Sequence, residues 1–105
     1  MKSIQSNKEF NKVVTGDKPF VIDFYADWCG PCQTLLPTVK KLSEEYKETV
    51  NIVKVNIDKQ RDIATKFNIK SIPTLFFGQD AKIKDRVNGL ASEHTLRKKI
   101  DALLK

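Results

Sequence analysis

Hydrophobic residues along this chain recur at two spacings, one of strands and one of helices. From Phe20 to Ala26 the run Phe-Val-Ile-Asp-Phe-Tyr-Ala is apolar on both faces, as in a central strand covered on each side. Val50, Ile52, Val53, Val55 and Ile57 predict a second core strand. Leu75-Phe76-Phe77 and Ile83 to Val87 predict two more, joined through Gly78-Gln79-Asp80-Ala81, a turn so tight that the pair must be antiparallel. Ile4 lies in a short segment that suits an edge strand. Between these runs the helical spacing takes over. Ser6 and Glu9 form a capping box ahead of a helix that presents Phe10, Val13 and Val14, stopped by Gly16 before the turn Asp17-Lys18-Pro19. Leu35, Val39, Leu42 and Tyr46, broadened by Leu36, mark one face of a helix running on from Gln33. Pro37 removes a backbone hydrogen bond within it and predicts a kink that would free the preceding turn to tilt. Asp58 is expected to cap a short helix with Ile63, Ala64 and Phe67 inward, closing at Asn68. Ser92 opens a last helix with Leu96, Ile100, Leu103 and Leu104 inward and His94 at the surface. The whole is an α/β pattern: a central mixed β-sheet flanked by helices on both faces.

Composition narrows this further. The 105 residues suffice for one domain, 1–105, with a real core. No linker, repeat or low-complexity segment interrupts them. No stretch approaches the roughly 18 apolar residues of a membrane span, so no membrane partner is expected. Met1-Lys2-Ser3-Ile4-Gln5 lacks the apolar core of a secretion signal, so a cytoplasmic protein is expected. The net charge of +6 falls entirely within 38–105, since 1–37 hold four basic and four acidic side chains. Lys82, Lys84 and Arg86, and Arg97-Lys98-Lys99, lack the interleaved aromatic residues of a stacking platform. They read as solvated faces, and no nucleic acid is expected.

The chemistry concentrates in Asp27-Trp28-Cys29-Gly30-Pro31-Cys32, between the first core strand and the long helix. It contains both cysteines of the chain. With two residues between them, one precedes the first helical turn and the other lies within it, so the sulfurs can join and part. The unpaired N–H groups and positive end of the helix favour a thiolate, most of all at Cys29. Pro31 suits a first turn because its missing N–H has no intrahelical partner to lose, and Gly30 permits the tight turn. A disulfide closing so short a loop constrains the unfolded chain little. Metal binding needs three or four protein ligands, and beyond the cysteines there is only His94, far along the chain, so no metal is expected. Cys-x-x-Cys beside a βαβ pattern therefore reads as a redox pair. Asp23 is the one carboxylate in an otherwise apolar central strand. Its burial is costly unless it is paired or neutral, which points to a role in proton transfer.

Trp28-Cys29-Gly30-Pro31-Cys32 behind the strand Asp23-Phe24-Tyr25-Ala26, with Ile72-Pro73-Thr74 and Val87-Asn88-Gly89 downstream, resembles the thioredoxin family over essentially all 105 residues. The resemblance implies a thioredoxin-like fold and a general protein-disulfide reductase working through a mixed disulfide. Cys29 would attack, Cys32 would resolve, and Asp23 would take the Cys32 proton, with Lys54 beside it. A cis Ile72–Pro73 bond would face the cysteines, and the Ile72 backbone would pair with a substrate strand. Trp28, Gly30, Pro31, Ile72, Pro73 and Gly89 would form the docking rim. The implied protein is a monomer with no cofactor beyond the Cys29–Cys32 disulfide. Its partners would be disulfide-containing proteins and an NADPH-dependent flavoprotein reductase. Two alternatives stand beside this: a redoxin dedicated to one partner or pathway, and a binding subunit that keeps the fold without turnover. Departures from the family pattern keep the first open. Gln33 follows the second cysteine where a basic residue is common, Asn88 stands where an apolar one often lines the groove, Gln79-Asp80-Ala81 lacks the turn glycine, and the chain is basic.

Overall fold

The computed structural model describes residues 1–105. Five strands, β1 (Lys2–Ser3), β2 (Phe20–Tyr25), β3 (Asn51–Asn56), β4 (Thr74–Gln79) and β5 (Lys82–Asn88), form one sheet in the order β1-β3-β2-β4-β5. The β1–β3 and β3–β2 pairs are parallel, whereas β2–β4 and β4–β5 are antiparallel. Four helices cover it: α1 (Asn7–Val14), α2 (Gly30–Glu45), α3 (Arg61–Lys66) and α4 (Glu93–Leu103). The mixed sheet expected from the apolar runs is the one that forms.

Side-chain alternation along β2 sorts the core into two layers. Phe20, Ile22 and Phe24 pack with Phe10 of α1, Ile63 of α3 and Phe76 of β4. Val21 points the other way, to Leu35, Val39 and Leu42 of α2 and to Leu96, Ile100 and Leu103 of α4. Every β2 residue is buried, as its two-sided apolar run requires. Asp23, two positions on from Val21, therefore faces the α2 layer.

Caps and ends follow the sequence in most places. Ser6 Oγ accepts from Glu9 N at 3.1 Å, but the Glu9 carboxylate returns the bond one residue early, to Gln5 N at 2.9 Å. Pro37 lies within α2 without ending it. Two expectations fail. Leu104 caps the end of α4 and is exposed, because the inward stripe finishes at Leu103. Asp58 does not cap α3, whose N-cap is Gln60 with no side-chain bond. Asn56 is the cause: its Oδ1 accepts from Asp58 N at 2.9 Å and Lys59 N at 3.2 Å, turning the chain before the helix starts.

Two glycines answer local demands. A Cβ at Gly78, beside the β4–β5 register shift, would collide with the Lys82 carbonyl oxygen and the Phe20 ring. Gly89 has φ +86°, a conformation other residues rarely adopt. The β4–β5 loop does without one. Asp80 and Ala81 take φ values of +54° and +63° in a two-residue hairpin turn of the kind that usually holds Asn-Gly. Aspartate tolerates that region, whereas alanine is strained there. Ala81→Gly is thus expected to stabilise the fold by about 1 kcal/mol, after the entropy of the freer unfolded chain is deducted. Chemical denaturation would measure this, and a lower midpoint in the variant would contradict it.

Candidate active site

The cysteines sit at the edge where β2 ends and α2 begins. Cys29 is the N-cap of α2, in extended conformation, and Pro31 occupies its first turn. Cys29 and Cys32 are joined as a disulfide with Cα atoms 5.2 Å apart. Cys32 N donates to Cys29 Sγ at 3.2 Å, so the sulfur occupies the acceptor position that a capping oxygen usually fills. A thiolate formed there upon reduction gains both this donor and the helix dipole. Both cysteines are buried, with Cys29 5% and Cys32 2% exposed, against Tyr25 and Ala26. The two differ little in exposure. What separates them is position, since Cys29 lies at the helix end, its Sγ 3.8 Å from the Ile72 carbonyl oxygen.

The loop from Ser71 to Pro73 completes this edge. The Ile72–Pro73 bond is cis, and Gly89 N donates to the Pro73 carbonyl at 2.8 Å, which ties the end of β5 to the loop. Ile72 is half-buried against both the cysteine cluster and the α1/α3 layer. Trp28 is 70% exposed, yet its ring is fixed: the indole N–H donates to Asp58 Oδ2 at 2.8 Å. Asp58 therefore serves the site rather than a helix. The signal available in the sequence was Asn56, an Asx-turn residue whose turn releases the Asp58 carboxylate to accept from elsewhere. The structure thus brings Trp28, Cys29, Cys32, Ile72, Pro73 and Gly89 to one edge of the sheet, with Gly30 and Pro31 exposed on the first turn of α2.

Asp23 lies in β2, on the face of the sheet towards α2. It is 1% exposed, and its Oδ1 has no hydrogen-bond partner. It is flanked in the sheet by Lys54 of β3 and Leu75 of β4. Burial pushes its pKa up from 3.8 to about 7, against the pull of the Lys54 charge. Lys54 is a register neighbour and not a direct ion-pair partner, because its ammonium lies over the Tyr25 ring, 5.2 Å from the centroid. A carboxyl that titrates near neutrality on the α2 side of the sheet can give and take a proton at physiological pH.

No group of three or more His, Cys, Asp or Glu side chains could hold a metal ion, and no helix is long and apolar enough to cross a membrane. The largest cleft, about 450 Å3 between α1, α2 and the β1 edge, lies away from the cysteines.

The thioredoxin family model matches residues 2–102. The chain is 36% identical over 97 residues to a thioredoxin of Mycoplasmoides gallisepticum, covering 92% of this chain and 96% of that protein. With thioredoxin 1 of Chlorobaculum tepidum it shares 40% identity over 86 residues, 82% of this chain and 85% of the relative. It spans about half the length of the chloroplastic thioredoxins it matches in Arabidopsis thaliana and Spinacia oleracea. Among solved structures, Malassezia sympodialis thioredoxin superposes with a TM-score of 0.90 at 35% identity, covering 99% of this chain and 90% of that one.

Proposed function

The chain belongs to the thioredoxin family, and on that premise we propose that it reduces disulfides in other proteins, using Cys29 and Cys32 as a two-electron carrier. The observation that carries this reading is the Cys29–Cys32 disulfide at the N-terminus of α2, with Cys29 Sγ beside the Ile72 carbonyl. The reduced pair reacts in two exchanges. Cys29 thiolate attacks one sulfur of the substrate disulfide; the other sulfur leaves as a thiolate and takes a proton from water. Cys32, having given its proton to Asp23, attacks Cys29 Sγ and expels the second substrate thiolate. The substrate gains two electrons, and the chain closes its own disulfide. Trp28, Gly30, Pro31, Ile72, Pro73 and Gly89 line the approach, and the Ile72 backbone pairs with the substrate segment. An NADPH-dependent flavoprotein reductase is the proposed electron source. The proposed setting is the cytoplasm, where a pair that must return to the dithiol finds reductant.

Insulin reduction in the presence of a thioredoxin reductase and NADPH tests this directly. Turnover at the level of a general thioredoxin supports it. Failure to turn over, with Cys29 and Cys32 reducible by a small dithiol, would leave a binding subunit that shares the fold. A dedicated redoxin is a second reading, favoured by exposed, polar Asn88 at the groove. It would show weak insulin reduction beside fast reduction of one partner.

A further inference from the structure

Beside the Ile72–Pro73 loop lies a second polar feature. A cleft of about 220 Å3 opens between the Ser71 and Thr74 flanks of the loop and the end of β5, with Lys70, Arg86 and Asn88 in its wall. No acidic side chain lines it. Its cations are uncommitted. Neither Lys70 nor Arg86 forms an ion pair, in contrast to Lys41, Arg97 and Lys99, which all do. Arg86 is held in place nonetheless, its guanidinium carbon 4.9 Å from the centroid of the buried Phe76 ring. Its N–H donors therefore remain available to a ligand. Asn88 pairs with Thr74 across β4 and β5, and its side chain lies 3.1 Å from the Thr74 hydroxyl, whose proton goes to the Ser71 carbonyl at 2.7 Å. Positive charge converges on the cleft, with no acidic side chain in its wall to receive it.

We propose that this cleft is a specificity subsite for an acidic side chain, aspartate or glutamate, in the substrate segment that docks on the Ile72–Pro73 loop. The proposal rests on the reductase reading above. The geometry restricts where the acid sits. The loop touches Cys29 Sγ through Ile72, and the cleft begins at the residues flanking Ile72 and Pro73. A segment advancing roughly 3.3 Å per residue reaches it within about three positions of the attacked cysteine. Arg86 supplies a planar pair of donors suited to a carboxylate, and Lys70 a point charge. The same arrangement gives a use to two of the basic residues in the second half of the chain, Lys70 and Arg86.

The test uses the pre-reduced full chain and a set of intramolecular disulfide peptides. Glutamate, or glutamine as the control, is scanned through three positions on either side of the cysteine. Single-turnover thiol release is followed by acid quench and chromatography. At its best position glutamate is expected to raise the second-order rate constant about three- to tenfold over glutamine at low ionic strength, and less at high salt. In the Lys70→Gln/Arg86→Gln double variant that ratio should fall to near one. A charge-matched change far from the cleft, Lys18→Gln with a second surface lysine, should preserve it. Equal rates at every position, or a preference unmoved by the double variant, overturn the subsite. Release of thiol from no peptide overturns the reductase reading instead, a result easily told from equal release.

Discussion

Cys29→Ser is expected to lose disulfide reduction altogether, whereas Cys32→Ser should start the reaction and stall as a covalent mixed disulfide with its substrate. The asymmetry comes from location, since the two sulfurs are almost equally buried. Cys29 caps α2 and receives the Cys32 N–H, so its thiolate is the one that the helix end favours; a serine hydroxyl there stays protonated and does not attack sulfur. Cys32 lies inside the first turn, where its sulfur is within bonding reach of Cys29 Sγ. Removing Cys32 leaves the first exchange intact and deletes the second. Non-reducing electrophoresis and mass spectrometry of Cys32→Ser incubated with a disulfide protein should show a one-to-one adduct cleaved by dithiothreitol. Normal turnover of Cys32→Ser with a thioredoxin reductase would mean that the roles are reversed.

The residues that make this site differ in how openly the sequence declared them. The cysteines, Pro31 and the buried run of β2 are local features: spacing, fixed φ and two-sided apolarity each follow from a few neighbouring residues. The same holds for the mixed sheet, because the turn Gly78-Gln79-Asp80-Ala81 is too tight to join parallel strands. Asp58 was misplaced because an acidic residue before a helix has two uses, and only the Asn56 turn decides between them. Leu104 failed for a similar reason, since periodicity continues past the point where the helix ends. The cleft beside Pro73 was not legible at all. Its walls, Lys70, Arg86 and Asn88, come from separate segments that only the β4–β5 pairing and the loop bring together.

Asp23 is where stability and activity are expected to oppose each other most strongly. Its carboxyl has no hydrogen-bond partner at Oδ1, and burial raises its pKa from 3.8 to about 7. A carboxyl whose pKa rises on folding stays neutral in the native state while the unfolded chain ionises. It costs nothing below about pH 4, costs progressively more as pH climbs towards 7, and costs its full amount above that. With Asp23→Asn the oxidised protein should therefore match the wild type in stability near pH 4 and exceed it by roughly 1–4 kcal/mol at pH 8. Asparagine keeps the shape of the carboxyl and cannot ionise, so the pH dependence of the gain isolates the charge from the packing. The same substitution removes the base that receives the Cys32 proton, so resolution of the mixed disulfide should slow, by about 10²-fold if Asp23 is a typical general base. The wild-type rate profile should bend near pH 7, and the variant should lack that bend. Denaturant unfolding across pH 4–8 and rapid-quench rates of the resolving step would measure both halves. A variant less stable at pH 8, or one that resolves as fast as the wild type, would leave Asp23 a structural carboxylate, with the Cys32 proton leaving by another route.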